Sequence, residues 1–301
     1  TFSELELIDG FSAEKVKLLS PFITLGSTDG RLSNVRDSLP EHSLKIRAKY
    51  RFQRETPLYF SQKYKMTYAS GLEVGCSFVE EVNGGGIVDY AAGHLAVSDI
   101  KVGREGKWRI KSGVIGDFTV RLGQGLVGWN SFSLSGEGSP ESVLKRSWGI
   151  FPYTSTSESN FCRGAGGVIA IGNWGELTAF YSNRGRGVAG GAFSIKRGTL
   201  KVGANTFYTP DNMNTSADFL FSIGRYRAFG EVAVDKDFDI SFIIGAILPL
   251  SDIIESSVTI RGYSPDYSAP YSGGYSSLSR CYNQYGVTLN LYTQLSEKGS
   301  L

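Results

Sequence analysis

Eight basic side chains in this 301-residue chain have the spacing to act together on an anion. The stretch Ser43–Phe52 (SLKIRAKYRF) sets Lys45, Arg47, Lys49 and Arg51 at every second position. Lys107, Arg109 and Lys111 repeat the spacing, and Arg121 follows. In an extended strand every second residue points the same way, so each run is a row of cations on one face. Such rows would attract anionic solutes or a nucleic-acid strand. The alternative is charge balance against Glu73, Glu80, Glu81, Asp89 and Asp117, which the net charge of only +2 favours. Other chemistry is thinly supplied. His42 and His94 are the only histidines and lack metal-ligand spacing. Cys76, Cys162 and Cys281 form no CxxC pair and read as small apolar strand residues. No Gly-x-Ser-x-Gly elbow and no GK[ST] phosphate loop occurs. The sequence therefore predicts no enzyme, no cofactor and no metal site.

The elements that must carry these residues are strands. Gly (38), Tyr (16) and Phe (18) are abundant while Met and His are scarce, a β-type composition. From residue 43 onward the pattern alternates with period two. Lys63–Tyr68, Leu72–Phe78, Asp89–Val97, Lys107–Ile115, Gly166–Ile171, Glu176–Asn183, Ala189–Ile195, Leu200–Tyr208, Arg225–Val234, Phe238–Leu248, Ser256–Tyr263 and Tyr285–Gln294 all read as strands. Short turns are expected at 70–71, 172–175, 196–199 and 235–237. Long Gly/Ser/Asn-rich loops are expected at 130–160, 209–216 and 264–283.

Period-two alternation suits two architectures. In a soluble β-sandwich binding module the apolar face meets a core. In a transmembrane barrel it meets lipid and the polar face lines a wet lumen. Strand lengths sufficient to cross a bilayer favour the barrel, as do aromatics near strand ends (Tyr50, Phe52, Tyr68, Trp108, Tyr208) and the alternation of short turns with long loops. The expected fold is all-β: an antiparallel up-and-down transmembrane β-barrel of about 12–14 visible strands. Residues 1–26 differ, reading as helix, tight glycine turn and helix, with Ser12 placed to cap the second. The expected organisation is thus a helical segment at 1–26, a polar linker at 27–42 and the barrel at 43–301.

Three stretches, GDFTVRLGQGLVGW (Gly116–Trp129), GIFPYTSTSESNFCRGAGG (Gly149–Gly167) and RGYSPDYSAPYSGGYSS (Arg261–Ser277), resemble the outer-membrane proteins that join ComEA-type helix-hairpin-helix units to a C-terminal β-barrel. The resemblance implies an outer-membrane location with the N-terminal segment in the periplasm. It also implies that the chain is an internal piece of a longer protein, in keeping with a start inside a helical pattern and an end, TQLSEKGSL, without a terminal aromatic. In DNA-binding units of that kind a Gly-hydrophobic-Gly turn presents backbone N–H groups to a phosphate. Here the turn is Gly10, Phe11 and Ser12, with Lys15 following, so a serine replaces the second glycine. Glu4, Glu6 and Asp9 oppose a phosphate backbone, and a packing or plugging role competes with DNA binding. The expected partners are outer-membrane lipid, nucleic acid through the hairpin, and an envelope protein. The expected roles are envelope transport, assembly or DNA handling, or else recognition of a ligand or partner through the loops at 130–160 and 264–283. The glycines at 116, 123, 125 and 128 are expected to bend strands or to let the chain cross a crowded interior.

Overall fold

Alternating Val, Ile, Tyr and Phe against small or polar residues produces fifteen strands in this computed structural model. It describes residues 39–50, 52, 58–68, 71–82, 89–103, 107–130, 140–251, 253–277 and 280–293. The strands are β1 (Glu41–Tyr50), β2 (Leu58–Tyr68), β3 (Leu72–Val82), β4 (Tyr90–Val102), β5 (Trp108–Arg121), β6 (Gly149–Pro152), β7 (Cys162–Ile171) and β8 (Gly175–Ser182). They continue with β9 (Val188–Arg197), β10 (Leu200–Thr209), β11 (Asn212–Ile223), β12 (Tyr226–Val234), β13 (Ile240–Pro249), β14 (Ile254–Tyr263) and β15 (Gln284–Thr293). Fourteen pair in chain order as an antiparallel meander, and β6 stands off that path against the end of β5. β1 and β15 have one neighbour each among the described residues, so the sheet is open along that seam.

The sheet curls around its own loops. Side chains from β4, β5, β7, β8, β9, β10, β12, β13 and β14 share one core with Leu122, Leu126, Val127, Tyr267, Ala269 and Cys281 of the connections. The inward residues of the second half mix polar side chains with large apolar ones: Asn205 on β10, Asn212, Asn214 and Ser216 on β11, and Ser257 and Thr259 on β14 are buried, and so are Phe207, Phe229, Ile243 and Tyr263. The alternate residues face out, among them Val202, Met213, Ile244, Val287, Leu289 and Leu291. Outward aromatics mark both ends of the sheet, with Trp108, Trp174 and Tyr226 at one and Tyr181, Tyr208 and Tyr285 at the other.

Connections sort by end. Those at 69–71, 103–107, 172–174, 198–199, 224–225 and 250–253 are all short. The opposite end carries 51–57, 83–89, 183–187, 210–211 and 235–239, and the two longest, 122–161 and 264–283. Three expectations change here. The region 209–216 is not a long loop but a tight turn leading into β11. Its inward Asn212, Asn214 and Ser216 and outward Met213, Thr215 and Ala217 offer little hydrophobic contrast, which hid the strand. Without β11 the count of strands slips by one, so the turn at 235–239 belongs to the long-connection end rather than with the short turns. Parts of the two longest connections are buried, namely 122–130, 143–145 and the side chains of Tyr267, Ala269 and Cys281. β1 begins at Glu41, inside the span expected as linker.

Candidate lumenal site

The inward face holds two groups of cations that differ in what they face. On β1 and β2 the inward parity brings Lys45, Arg47 and Lys49 beside Lys63 and Lys65, with Lys45 directly opposite Lys63 and Arg47 opposite Ser61. Lys65 is answered by Glu73 of β3 at 3.0 Å, and Glu73 also meets His94 Nε2 at 3.1 Å. Gly75 makes room for this pairing, because a Cβ there would lie 2.4 Å from the His94 ring. No carboxylate among the described residues comes within ion-pair distance of Lys45, Arg47, Lys49 or Lys63. On the β5, β8 and β10 side the charges are matched. Lys111 meets Glu176 at 2.5 Å, Lys201 reaches the same carboxylate at 3.5 Å, and Arg109 pairs with Asp99 at 3.1 Å. Lys111 sits at a β-bulge, unregistered with β7, which swings it toward Glu176. Lys107 is exposed just before β5.

Sequence reasoning grouped Lys45, Arg47, Lys49, Arg51, Lys107, Arg109 and Lys111 as one set of lumenal cations; the structure sets Lys45, Arg47 and Lys49 on the inward face of β1, and Arg109 and Lys111 apart from them, paired with Asp99 and Glu176. Arg51 and the hairpin residues Gly10, Phe11, Ser12 and Lys15 lie outside the described residues. Sequence reasoning missed Lys63 and Lys65, although their alternation with Tyr64 and Met66 is written in QKYKMTY.

The centre of the interior is filled. After β5 the chain crosses it as LGQGLVGWN (122–130), buried throughout. Two backbone N–H groups of this segment, Gln124 and Leu126, donate to one carboxylate oxygen of Glu231 on β12 at 2.7 and 3.0 Å. Ser216 Oγ donates to the other oxygen at 2.6 Å. Glu231 is 2% exposed, so these bonds stand in for the water it has lost. Gly123 adopts φ +53°, and a Cβ there would lie 2.6 Å from Glu231 Oε1. The close approach and the left-handed backbone together require glycine.

Further contacts tie the plug down. The Gln124 amide donates to the Lys145 carbonyl at 3.1 Å and accepts from its N–H at 3.0 Å. Glu141, in the short 3-10 helix Pro140–Val143, pairs with Arg227 of β12 and with Arg146. Tyr267 Oη donates to the Leu126 carbonyl at 3.0 Å. The Lys145 ammonium lies 5.1 Å from the Trp129 ring centre. Burial pulls the Lys145 ammonium down to about 8, with the charge of Arg121 adding to the effect and Cys281 opposing it.

These features define an all-β, up-and-down antiparallel protein of the β-barrel class, with an apolar exterior and an interior that mixes polar groups with an apolar core and is occupied by segments of its own loops. Among solved structures the chain is similar to several engineered variants of a porin from Rh. blastica, at 12% identity and a TM-score of 0.32, over 74% of this chain and 94% of that one. Another variant of the same porin gives 11% and 0.31, and a structure described as "Asymmetric conductivity of engineered proteins" gives 12% and 0.32. No protein-family model matches the chain, and no curated protein does. The resemblance to the helix-hairpin-helix outer-membrane proteins therefore has no family match behind it; what stands of it is the antiparallel, up-and-down architecture.

Proposed function

We infer that this protein is an outer-membrane β-barrel whose lumen is closed by its own inward-folded loops, so that solute passage requires the plug to move. The observation that carries the reading is the apolar exterior of the sheet. Val287 and Leu289 on β15 are 70% and 73% exposed and Ile244 on β13 is 47% exposed, while Glu231, Ser241 and Thr259 on β12, β13 and β14 are buried beside Phe229, Ile243 and Tyr263. Water would penalise that exterior, whereas lipid accepts it. The two bands of outward aromatics fit the two interfaces of a bilayer. The buried crossing at 122–130, held by Glu231, supports a closed resting state over an open pore. Docking of a ligand by outstretched loops has less support, since Tyr267, Ala269 and Cys281 of the 264–283 connection are buried.

The test is membrane fractionation joined to gel mobility with and without boiling. Recovery with outer membranes and a faster-migrating unboiled band is the expected result. A soluble protein without a mobility shift would reverse the assignment of the two faces.

A further inference from the structure

We propose that the recess between β1, β2, β3 and the segment 153–155 binds a compact oxyanion: a phosphate or sulfate group, free or carried by a small solute. The barrel reading bears on this only in deciding which solution reaches the recess. The recess has a volume of about 290 Å³, and Ser43, Lys45, Lys63, Lys65, Ser77 and His94 are among its lining. Lys45 and Lys63 are direct cross-strand partners. That places their Cβ atoms about 5 Å apart, a pairing of like charges that weakens a sheet unless something lies between them. Arg47 stands on the same face one pair further along.

Among the described residues, the acids that face this cluster do not answer it. Glu73 is engaged by Lys65 and His94. Glu41 shares the inward parity but lies at the far end of β1, opposite Thr67. Lys63 Nζ donates to the Thr154 carbonyl at 2.6 Å, which fixes the ammonium at the recess and leaves further N–H donors for a ligand. Ser77 Oγ donates to the Ser155 carbonyl at 3.2 Å, so the roof is tied to the β3 wall as well.

The contrast within this one molecule is the core of the inference. Where β5, β8 and β10 bring Lys111 and Lys201 together, the chain supplies Glu176 between them. Where β1 and β2 bring Lys45 and Lys63 together, the chain supplies a cavity. A tetrahedral oxyanion would take the position that Glu176 occupies in the other group, accepting charge-assisted hydrogen bonds from both ammoniums. The roof at 153–155 limits the occupant to a small group and disfavours a polymer.

The experiment titrates inorganic phosphate into the full chain, folded in detergent micelles at low salt, and follows binding by calorimetry. Saturable binding is expected, competed by sulfate and not by equal chloride. Lys45→Gln and Lys63→Gln should each weaken it about tenfold, the loss of one charge-assisted partner. Lys111→Gln should leave it unchanged. Gel mobility before boiling verifies that each variant is folded, and Lys45→Gln alters an exposed side chain, so at least one variant reports on the site rather than on folding. Displacement of inorganic phosphate by a sugar phosphate would identify a solute-borne group; failure of that displacement, with phosphate still bound, would identify the free ion. Absence of saturable binding, binding by Lys45→Gln and Lys63→Gln as tight as the parent's, or equal competition by chloride would overturn the proposal. If the protein proves soluble yet binds phosphate in the manner described, the site stands and the membrane assignment falls.

Discussion

Glu231 holds the plug through partners more than a hundred residues away in sequence, and its substitution separates the plug from the barrel. Glu231→Leu would leave the N–H groups of Gln124 and Leu126 buried without an acceptor, at roughly 1–3 kcal/mol each. The expected outcome is a barrel that still forms but conducts: planar-bilayer recordings should show long closed periods in the parent and frequent openings in the variant. Identical recordings would mean that the other tethers suffice. Gly123→Ala should lower the midpoint of urea unfolding in micelles, because Ala meets Glu231 and also strains at φ +53°, a penalty of roughly 1–3 kcal/mol. Lys145 makes stability depend on pH in a defined sense. Its ordinary value of 10.5 falls to about 8 in the folded chain. Between those values the unfolded chain binds more protons than the folded one, so stability rises as pH increases from about 8 to 10.5 and is flat outside that window. Lys145→Met should be more stable than the parent at pH 7, and the slope across the window should vanish. An unchanged slope would assign it to another group.

At the scale of the element, strand parity is the testable quantity. Ile244 faces outward in the middle of β13, between inward Ile243 and Gly245. Ile244→Arg is expected to block membrane assembly, at roughly 2–4 kcal/mol for a cation near the bilayer midplane. Arg47→Leu, on the inward face of β1, should be tolerated, as judged by recovery of the heat-modifiable band. Equal tolerance of the two would contradict the faces assigned here. Parity was readable where outward residues are large and inward ones charged, as in SLKIRAKYRF. It was unreadable in β11, where Asn, Thr, Ser and Ala alternate with little contrast, and a strand lost there also misplaced the turn at 235–239.

At the scale of the whole molecule, the open seam between β1 and β15 carries the next prediction. Fourteen strands on the path make these two antiparallel to each other, the relation an up-and-down barrel needs to close. An unpaired edge is not tolerated within lipid. Their outward rows also match, with Leu44, Ile46 and Tyr50 on one and Val287, Leu289 and Leu291 on the other. A cysteine at Ile46 scanned against cysteines at Val287, Leu289 and Leu291 should give one efficient disulfide in membranes. Failure of every pair would place further strands between the two edges.

The sequence by itself determined the period-two strands, the two chemically distinct faces and the row Lys45, Arg47 and Lys49, because alternation is a local property of the extended chain. It also held the glycines of 122–130 in view as a means of crossing a crowded interior. The tertiary structure alone decided which cations are answered. Glu176 is distant from Lys111 in the chain, and only the pairing of β7 between β5 and β8 lets them meet. It alone showed which parts of the longest connections turn inward, 122–130 and 143–145 among them, because their burial depends on a cavity that exists only once the sheet has curled. And it alone made Glu231 a tether, since a lone acid in YRAFGEVAV carries no sign of the two N–H groups that the folded loop delivers to it.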